Sequence, residues 1–158
     1  GSRGVKGPPE PVGPPEIRIV PPGRHVLIID DDLSILLIVK KTLEAAEFEV
    51  EVAETAMEGF TRFKRRRPDL VLLDIDLPGE SGVDICARLK HFREEDLARQ
   101  VRSEIQDEEI RTPIVFLTSR GQPSDVREAM KVGGDGYIVK PFTPAVLVEK
   151  VKHHLGIP

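Results

Sequence analysis

The chain has 158 residues, 39% hydrophobic and 32% charged, with a formal net charge of −4. That length allows one domain with a real core, and the acidic balance excludes a global basic field for nucleic acid. A single cysteine, Cys86, excludes an internal disulfide, and no apolar run approaches the ~20 residues that span a bilayer, so the chain reads as cytoplasmic.

Residues 1–24 carry Pro8-Pro9, Pro14-Pro15 and Pro21-Pro22 and read as an extended or disordered leader or linker. The domain then occupies 25–158. It opens on a short unbroken apolar run, His25-Val26-Leu27-Ile28-Ile29, which ends on Asp30-Asp31-Asp32. A helical pattern follows over 33 to about 46, with Asp32 placed to cap it. Residues 48–52 alternate as a half-solvated edge strand does. Thr55 caps a second helix reaching about 66, and Arg65-Arg66-Arg67 reads as its solvated, dipole-favoured end.

The next stretch organises the chain. Leu70-Val71-Leu72-Leu73 has no period-2 alternation and reads as a strand buried on both faces. It stops on Asp74 and breaks into a Pro78-Gly79 loop. A helix over 83 to about 92 follows, then a buried strand at 113–117 ending on Thr118-Ser119. Helix 123 to about 132, strand 137–139 ending on Lys140-Pro141, and a helix capped by Thr143 complete the chain. Five strands alternating with five helices predict a doubly wound α/β fold around a parallel sheet.

In a parallel sheet the carboxyl ends of the strands share one edge, where ligands bind. Asp30, Asp31, Asp74, Thr118 and Lys140 all stand at such ends. Each alone is an ordinary capping acid, strand-end threonine or surface lysine. Together at four strand ends they point to chemistry. Clustered carboxylates need a proton or a cation among them, and oxygen-only ligation suits Mg²⁺, with Mn²⁺ as a substitute. Lys140 and Thr118 opposite a metal-bound carboxylate make a place for a phosphoryl group, with Asp74 as nucleophile forming an acyl phosphate.

The motifs Val-Leu-Ile-Ile-Asp-Asp-Asp (26–32), Pro-Asp-Leu-Val-Leu-Leu-Asp-Ile-Asp-Leu-Pro-Gly (68–79), Pro-Ile-Val-Phe-Leu-Thr-Ser (113–119) and Gly-Tyr-Ile-Val-Lys-Pro-Phe (136–142) resemble the receiver domain of two-component response regulators. The resemblance runs over about residues 25–156. It implies a flavodoxin-like five-stranded sheet in order 2-1-3-4-5 and a cis Lys140-Pro141 bond. It also implies that Asp74 accepts phosphate from a histidine kinase or phosphotransfer protein. Asp31, Asp74 and the Asp76 carbonyl would hold Mg²⁺, with Asp30 acting through water. Lys140 would pair with the phosphoryl group, Thr118 and Tyr137 would form the switch, and Asp76, Ser119 and Arg120 would tune dephosphorylation. The downstream partner is left unassigned and a dimer is left open. No nucleic-acid contact by this domain and no membrane contact are expected.

Two departures carry expectations of their own. Residues 93–111 read as a helical insertion with Leu97, Val101 and Ile105 on one stripe, out of phase with Ile85, Leu89 and Phe92, which predicts a break near 93–96 capped by Asp96. In the first helix, burial of Ile35, Ile38 and Val39 would leave Leu36 and Leu37 exposed beside the site as a docking surface for a helical phosphodonor. Two rival readings stand beside the receiver. One is an aspartyl phosphatase of the haloacid dehalogenase kind, using Asp74-Ile75-Asp76; the other is a receiver-like binding module that takes no phosphate.

Overall fold

Each unbroken apolar run is a strand. A computed structural model describes residues 20–102, 112–119 and 123–158, with the side chains of 93–102 and 123–126 outside that description. The elements in chain order are β1 (His25–Ile29), α1 (Leu33–Ala45), β2 (Glu49–Ala53), α2 (Ala56–Arg65), β3 (Leu70–Asp74), α3 (Gly82–Arg102), β4 (Ile114–Thr118), α4 (Pro123–Lys131), β5 (Gly136–Val139) and α5 (Pro144–Leu155). The leader assigned to 1–24 lies outside the described residues up to position 19.

All strand pairs are parallel and the order is β2-β1-β3-β4-β5, as the resemblance implied. β1, β3 and β4 are buried throughout, while the edge strands are partly covered, β2 with Val50 and Ala53 buried and β5 alternating strictly. The difference follows from position, because central strands are covered on both faces and an edge strand keeps one side near water. Two cores result, one per face. Val26, Ile28, Leu70, Leu72 and Leu117 pack with Leu36, Val39 and Leu43 of α1 and Leu147 and Val151 of α5. Leu27, Ile29, Val71, Leu73 and Phe116 pack with Phe60, Phe63, Ile85 and Leu89 of α2 and α3.

The helix starts are capped where the sequence places caps. Asp32 accepts from the Ser34 amide at 2.9 Å, Thr55 from Glu58 at 3.1 Å and Thr143 from Val146 at 3.2 Å. The basic end of α2 is paired rather than merely solvated. Arg66 forks onto Glu49, Arg65 reaches Glu51, and Arg67 reaches Thr112 and lies over Phe63.

Two expectations are corrected. α1 is rotated from the predicted face: Leu36 is buried, whereas Leu37 and Ile38 are 55% and 49% exposed. The run 35–39 is apolar all round, so its own periodicity selects no face. The phase is set further on, where burying Leu36 and Val39 also buries Leu43, while the alternative face continues onto Thr42 and Ala46. The break predicted near 93–96 is absent, since α3 is continuous from Gly82 to Arg102. Arg93-Glu94-Glu95-Asp96 contains neither glycine nor proline, and a slipped apolar stripe does not interrupt backbone hydrogen bonding. The side chains of Leu97 and Val101, and Ile105 altogether, lie outside the described residues.

Candidate functional site

The parallel register brings the strand ends to one edge. Asp74 pairs with Leu117, one residue before Thr118, and Thr118 pairs with Val139, one residue before Lys140. The Lys140 amide donates to the Thr118 carbonyl at 2.7 Å, and the Ile75 amide to the Leu117 carbonyl at 3.0 Å. These bonds carry the ladder past the strands and fix where the functional side chains begin. The Lys140–Pro141 bond is cis.

Asp30 and Asp74 are buried and Asp31 is exposed, and one carboxylate oxygen from each lies within 4.8 Å of the others. Each buried acid is held by a neighbouring amide. Asp30 accepts from the Asp32 amide at 2.9 Å, and Asp74 Oδ1 from the Asp76 amide at 3.0 Å. Lys140 Nζ donates to Asp30 Oδ2 at 2.9 Å and stands 3.6 Å from Asp74 Oδ1. Burial pushes the Asp74 carboxyl up to about 6, with the Asp30 and Asp31 charges adding to the rise while the Asp76 amide and Lys140 oppose it. Burial alone would lower the Lys140 ammonium. The hydrogen bond to Asp30 and the charges of Asp74 and Asp30 outweigh it, and its pKa is raised.

Three acids facing one ammonium leave excess negative charge in a partly buried place. Oxygen donors at this spacing fit a hard divalent cation, and the exposed Asp31 leaves a solvent-side approach. Thr118 is buried beside the cluster, Ser119 and Asp76 are exposed, and Tyr137 is 41% exposed on β5. Arg120 lies outside the described residues. Of the docking pair, only Leu37 faces solvent, because Leu36 is in the core.

A cleft of about 380 Å³ opens beside Asp31, walled by Glu54, Met57, Leu77, Pro78 and Glu80. Glu80 is held by Arg88 at 2.9 Å. Sequence reasoning missed this pair, since nothing in the spacing of 80 and 88 across a loop-to-helix junction signals contact. The direct grip of Lys140 on Asp30 was likewise not foreseen from the sequence. A larger groove of about 830 Å³ between α1 and α5, lined by residues such as Ala45, Ala145 and Val148, contains none of the clustered acids.

A model of the response regulator receiver domain matches residues 26–152. The phosphate regulon transcriptional regulatory protein PhoB of Pseudomonas aeruginosa is 35% identical over 130 residues, which are 82% of this chain and 51% of that protein. The DNA-binding response regulator MtrA of Mycobacterium tuberculosis is 33% identical over 132 residues, 84% of this chain and 50% of its own. Among solved structures, a CheY-like response regulator receiver domain protein from Methanospirillum hungatei superposes with a TM-score of 0.70 at 29% identity, covering 84% of this chain and 94% of that one. The chain therefore spans about half the length of the curated relatives it matches.

The relatives correct one expectation. The expectation of no nucleic-acid contact conflicts with relatives named as transcriptional and DNA-binding regulators. Net charge of one domain carries no information about a partner that another part of a relative contacts. The match also decides against the haloacid dehalogenase alternative. No described helix is long and apolar enough to cross a membrane. The fold, the acidic strand-end cluster and the match over most of the chain converge, and the chain belongs to the response regulator receiver domain family of two-component signalling.

Proposed function

We propose that this domain takes a phosphoryl group onto Asp74 from a phosphohistidine of a histidine kinase or phosphotransfer protein. The observation that carries the reading is the meeting of Asp30, Asp31 and Asp74 within 4.8 Å, with the Lys140 ammonium on the same two buried acids. A carboxylate oxygen of Asp74 forms a bond to phosphorus as the N–P bond of the donor breaks. The bonding pair leaves with the imidazole nitrogen, and the product is an aspartyl phosphate. Lys140 pairs with one phosphoryl oxygen and thereby trades part of its hold on Asp30. The Thr118 hydroxyl donates to another oxygen. Asp31, Asp74 and the Asp76 carbonyl would hold Mg²⁺ or Mn²⁺, with Asp30 contributing through water, and the ion when bound neutralises phosphoryl oxygens that Lys140 does not reach.

The later steps belong to residues around the rim. Asp76 and Ser119 are exposed at the rim and, with Arg120 by the family resemblance, tune hydrolysis of the aspartyl phosphate. Thr118 moving toward the phosphoryl group makes space for Tyr137, whose 41% exposure is the outward position from which it swings in. Leu37, with Leu33 at 63% exposure on the same helix, offers the donor an apolar contact beside the site. By likeness to PhoB and MtrA, the output is transcription through a DNA-binding part of a longer protein.

The test is incubation with acetyl phosphate and Mg²⁺, read by intact mass. The wild type should gain one phosphoryl group and Asp74→Asn should gain none. Absence of any gain in the wild type would leave a receiver-like module that binds partners without taking phosphate.

A further inference from the structure

The loop that follows Asp74 forms one wall of the cleft beside Asp31, and that wall carries an acid. Glu80 joins Asp31 and Glu54 in the lining, so three acidic residues border one small space. Glu80 has a cationic partner: Arg88 donates to it at 2.9 Å.

Arg88 is not simply an exposed side chain that happens to reach an acid. Its guanidinium carbon lies 4.1 Å from the centroid of the Phe60 ring, within cation–π range. Phe60 is in turn fixed edge-to-face against Phe92 at 5.8 Å. The planar guanidinium is therefore oriented by α2 before it meets Glu80, which lowers the entropy cost of holding the pair. One arginine on α3 thus ties together α2, α3 and the loop between β3 and α3. The same loop is anchored by Leu77, buried at 7% exposure, and by the Gly82 amide donating to the Ile75 carbonyl at 3.0 Å.

We propose that Arg88 is a positioning and specificity residue for phosphodonors. It holds Glu80 and offsets its charge at the cleft, so that a doubly negative small donor can approach Asp74. This rests on the reading of Asp74 as phosphoacceptor. Without Arg88, the Glu80 charge adds uncompensated to those of Asp31 and Glu54 around the same cleft, an effect that salt screens. The reaction itself is unchanged: with acetyl phosphate, Asp74 oxygen bonds to phosphorus and acetate leaves with the pair of the broken P–O bond.

The experiment measures the rate of phosphate uptake, with Mg²⁺, from two donors of different charge. Acetyl phosphate is a dianion near neutral pH and phosphoramidate carries less negative charge. Arg88→Ala should slow uptake from acetyl phosphate about three- to fivefold at low salt, the size expected for one partly exposed pair. The loss should be smaller with phosphoramidate and should shrink in ~0.5 M salt, where screening is strong. Arg88→Ala/Glu80→Gln should return to the wild-type rate, because the neutral glutamine no longer needs a partner, and Arg88→Lys should lie between. Equal rates for Arg88→Ala and wild type overturn the proposal. So does an equal loss with both donors that Glu80→Gln does not rescue, which would mark Arg88 as a packing residue only. A wild type that takes phosphate from neither donor is a different result, and it sinks the phosphoacceptor reading itself.

Discussion

Lys140 and Asp30 are 110 residues apart in the chain, and the ammonium nitrogen of one lies 2.9 Å from a carboxylate oxygen of the other. Asp30 is fully buried, so this contact gives the first acid of the cluster a charge partner inside the fold. Lys140 also faces Asp74 at 3.6 Å. The lysine is therefore a structural counter-ion for one acid and stands within reach of a group transferred to the other.

Removing it should cost both roles. Lys140→Ala leaves Asp30 buried beside Asp74 with no cation, and in metal-free buffer the fold should lose about 3 kcal/mol, the lower end for breaking a buried pair. Urea unfolding in EDTA checks this. Mg²⁺ should recover part of the loss, because any ion bound only by the folded state stabilises by mass action. A midpoint unchanged from wild type in EDTA would mean that the pair contributes nothing to the fold.

The Asp74 carboxyl sets a pH dependence whose sign is opposite to that of an ordinary ion-paired acid. Its pKa is raised from 3.8 to about 6, mainly by burial. Between those values the folded chain holds a proton that the unfolded chain has lost. The folded state thus binds more protons, and metal-free stability attributable to Asp74 falls as pH rises from ~4 to ~6. Other groups titrate too, so the measured quantity is the difference between wild type and Asp74→Asn. Asp74→Asn should gain on wild type across that window and be more stable at neutral pH by about 1 kcal/mol, as is common when a functional charge is removed. Binding of Mg²⁺ to wild type should weaken below pH ~6, where a proton competes for the same oxygen. A difference that is flat in pH would place the titration elsewhere.

Much of this was legible in the residues, for a physical reason. A strand buried on both faces must be apolar along its length, so the polar residue that ends it stands out, as Asp30, Asp74 and Thr118 do; Lys140 ends the half-exposed edge strand β5 and is marked by its place in the strand order. Parallel topology then requires those ends to share an edge. What the sequence hid were choices decided by contact. Leu36 and Leu37 are chemically the same, and only the distant Leu43 determines which is buried. Arg88 meets Glu80 because Phe60 on another helix orients it, a three-element arrangement without a one-dimensional signature.

The α1 rotation makes the two leucines a sharp contrast. Leu36→Ala should destabilise by about 2–4 kcal/mol, as expected for truncating a side chain in a closed core. Leu37→Ser should change stability by no more than ~0.5 kcal/mol. With a cognate kinase as donor, Leu37→Ser should slow transfer, and with acetyl phosphate it should match wild type. Chemical denaturation and the two transfer rates together test the assignment. If Leu37→Ser unfolds as easily as Leu36→Ala, the face of α1 described above is the wrong one.

Gly82 offers a way to disturb the site without touching a charge. A Cβ there would lie 2.5 Å from Ile75 Cα and 2.7 Å from the Asp74 carbonyl oxygen. Both are backbone atoms, so the clash cannot be relieved by turning a side chain, and the start of α3 must move away from the strand end that carries Asp74. Gly79 in the same loop is the control. Its φ is +81°, which disfavours alanine, yet no atom lies within 4 Å of its Cβ position. Gly79→Ala should cost about 1 kcal/mol of stability and leave uptake from acetyl phosphate near wild type. Gly82→Ala should cost about 1–3 kcal/mol and lower the uptake rate more than its stability loss accounts for. At a temperature where both variants remain folded, the effect on uptake separates the two glycines. Equal uptake by the two variants would show that the approach of α3 to the Asp74 backbone does not set the geometry of the acidic cluster.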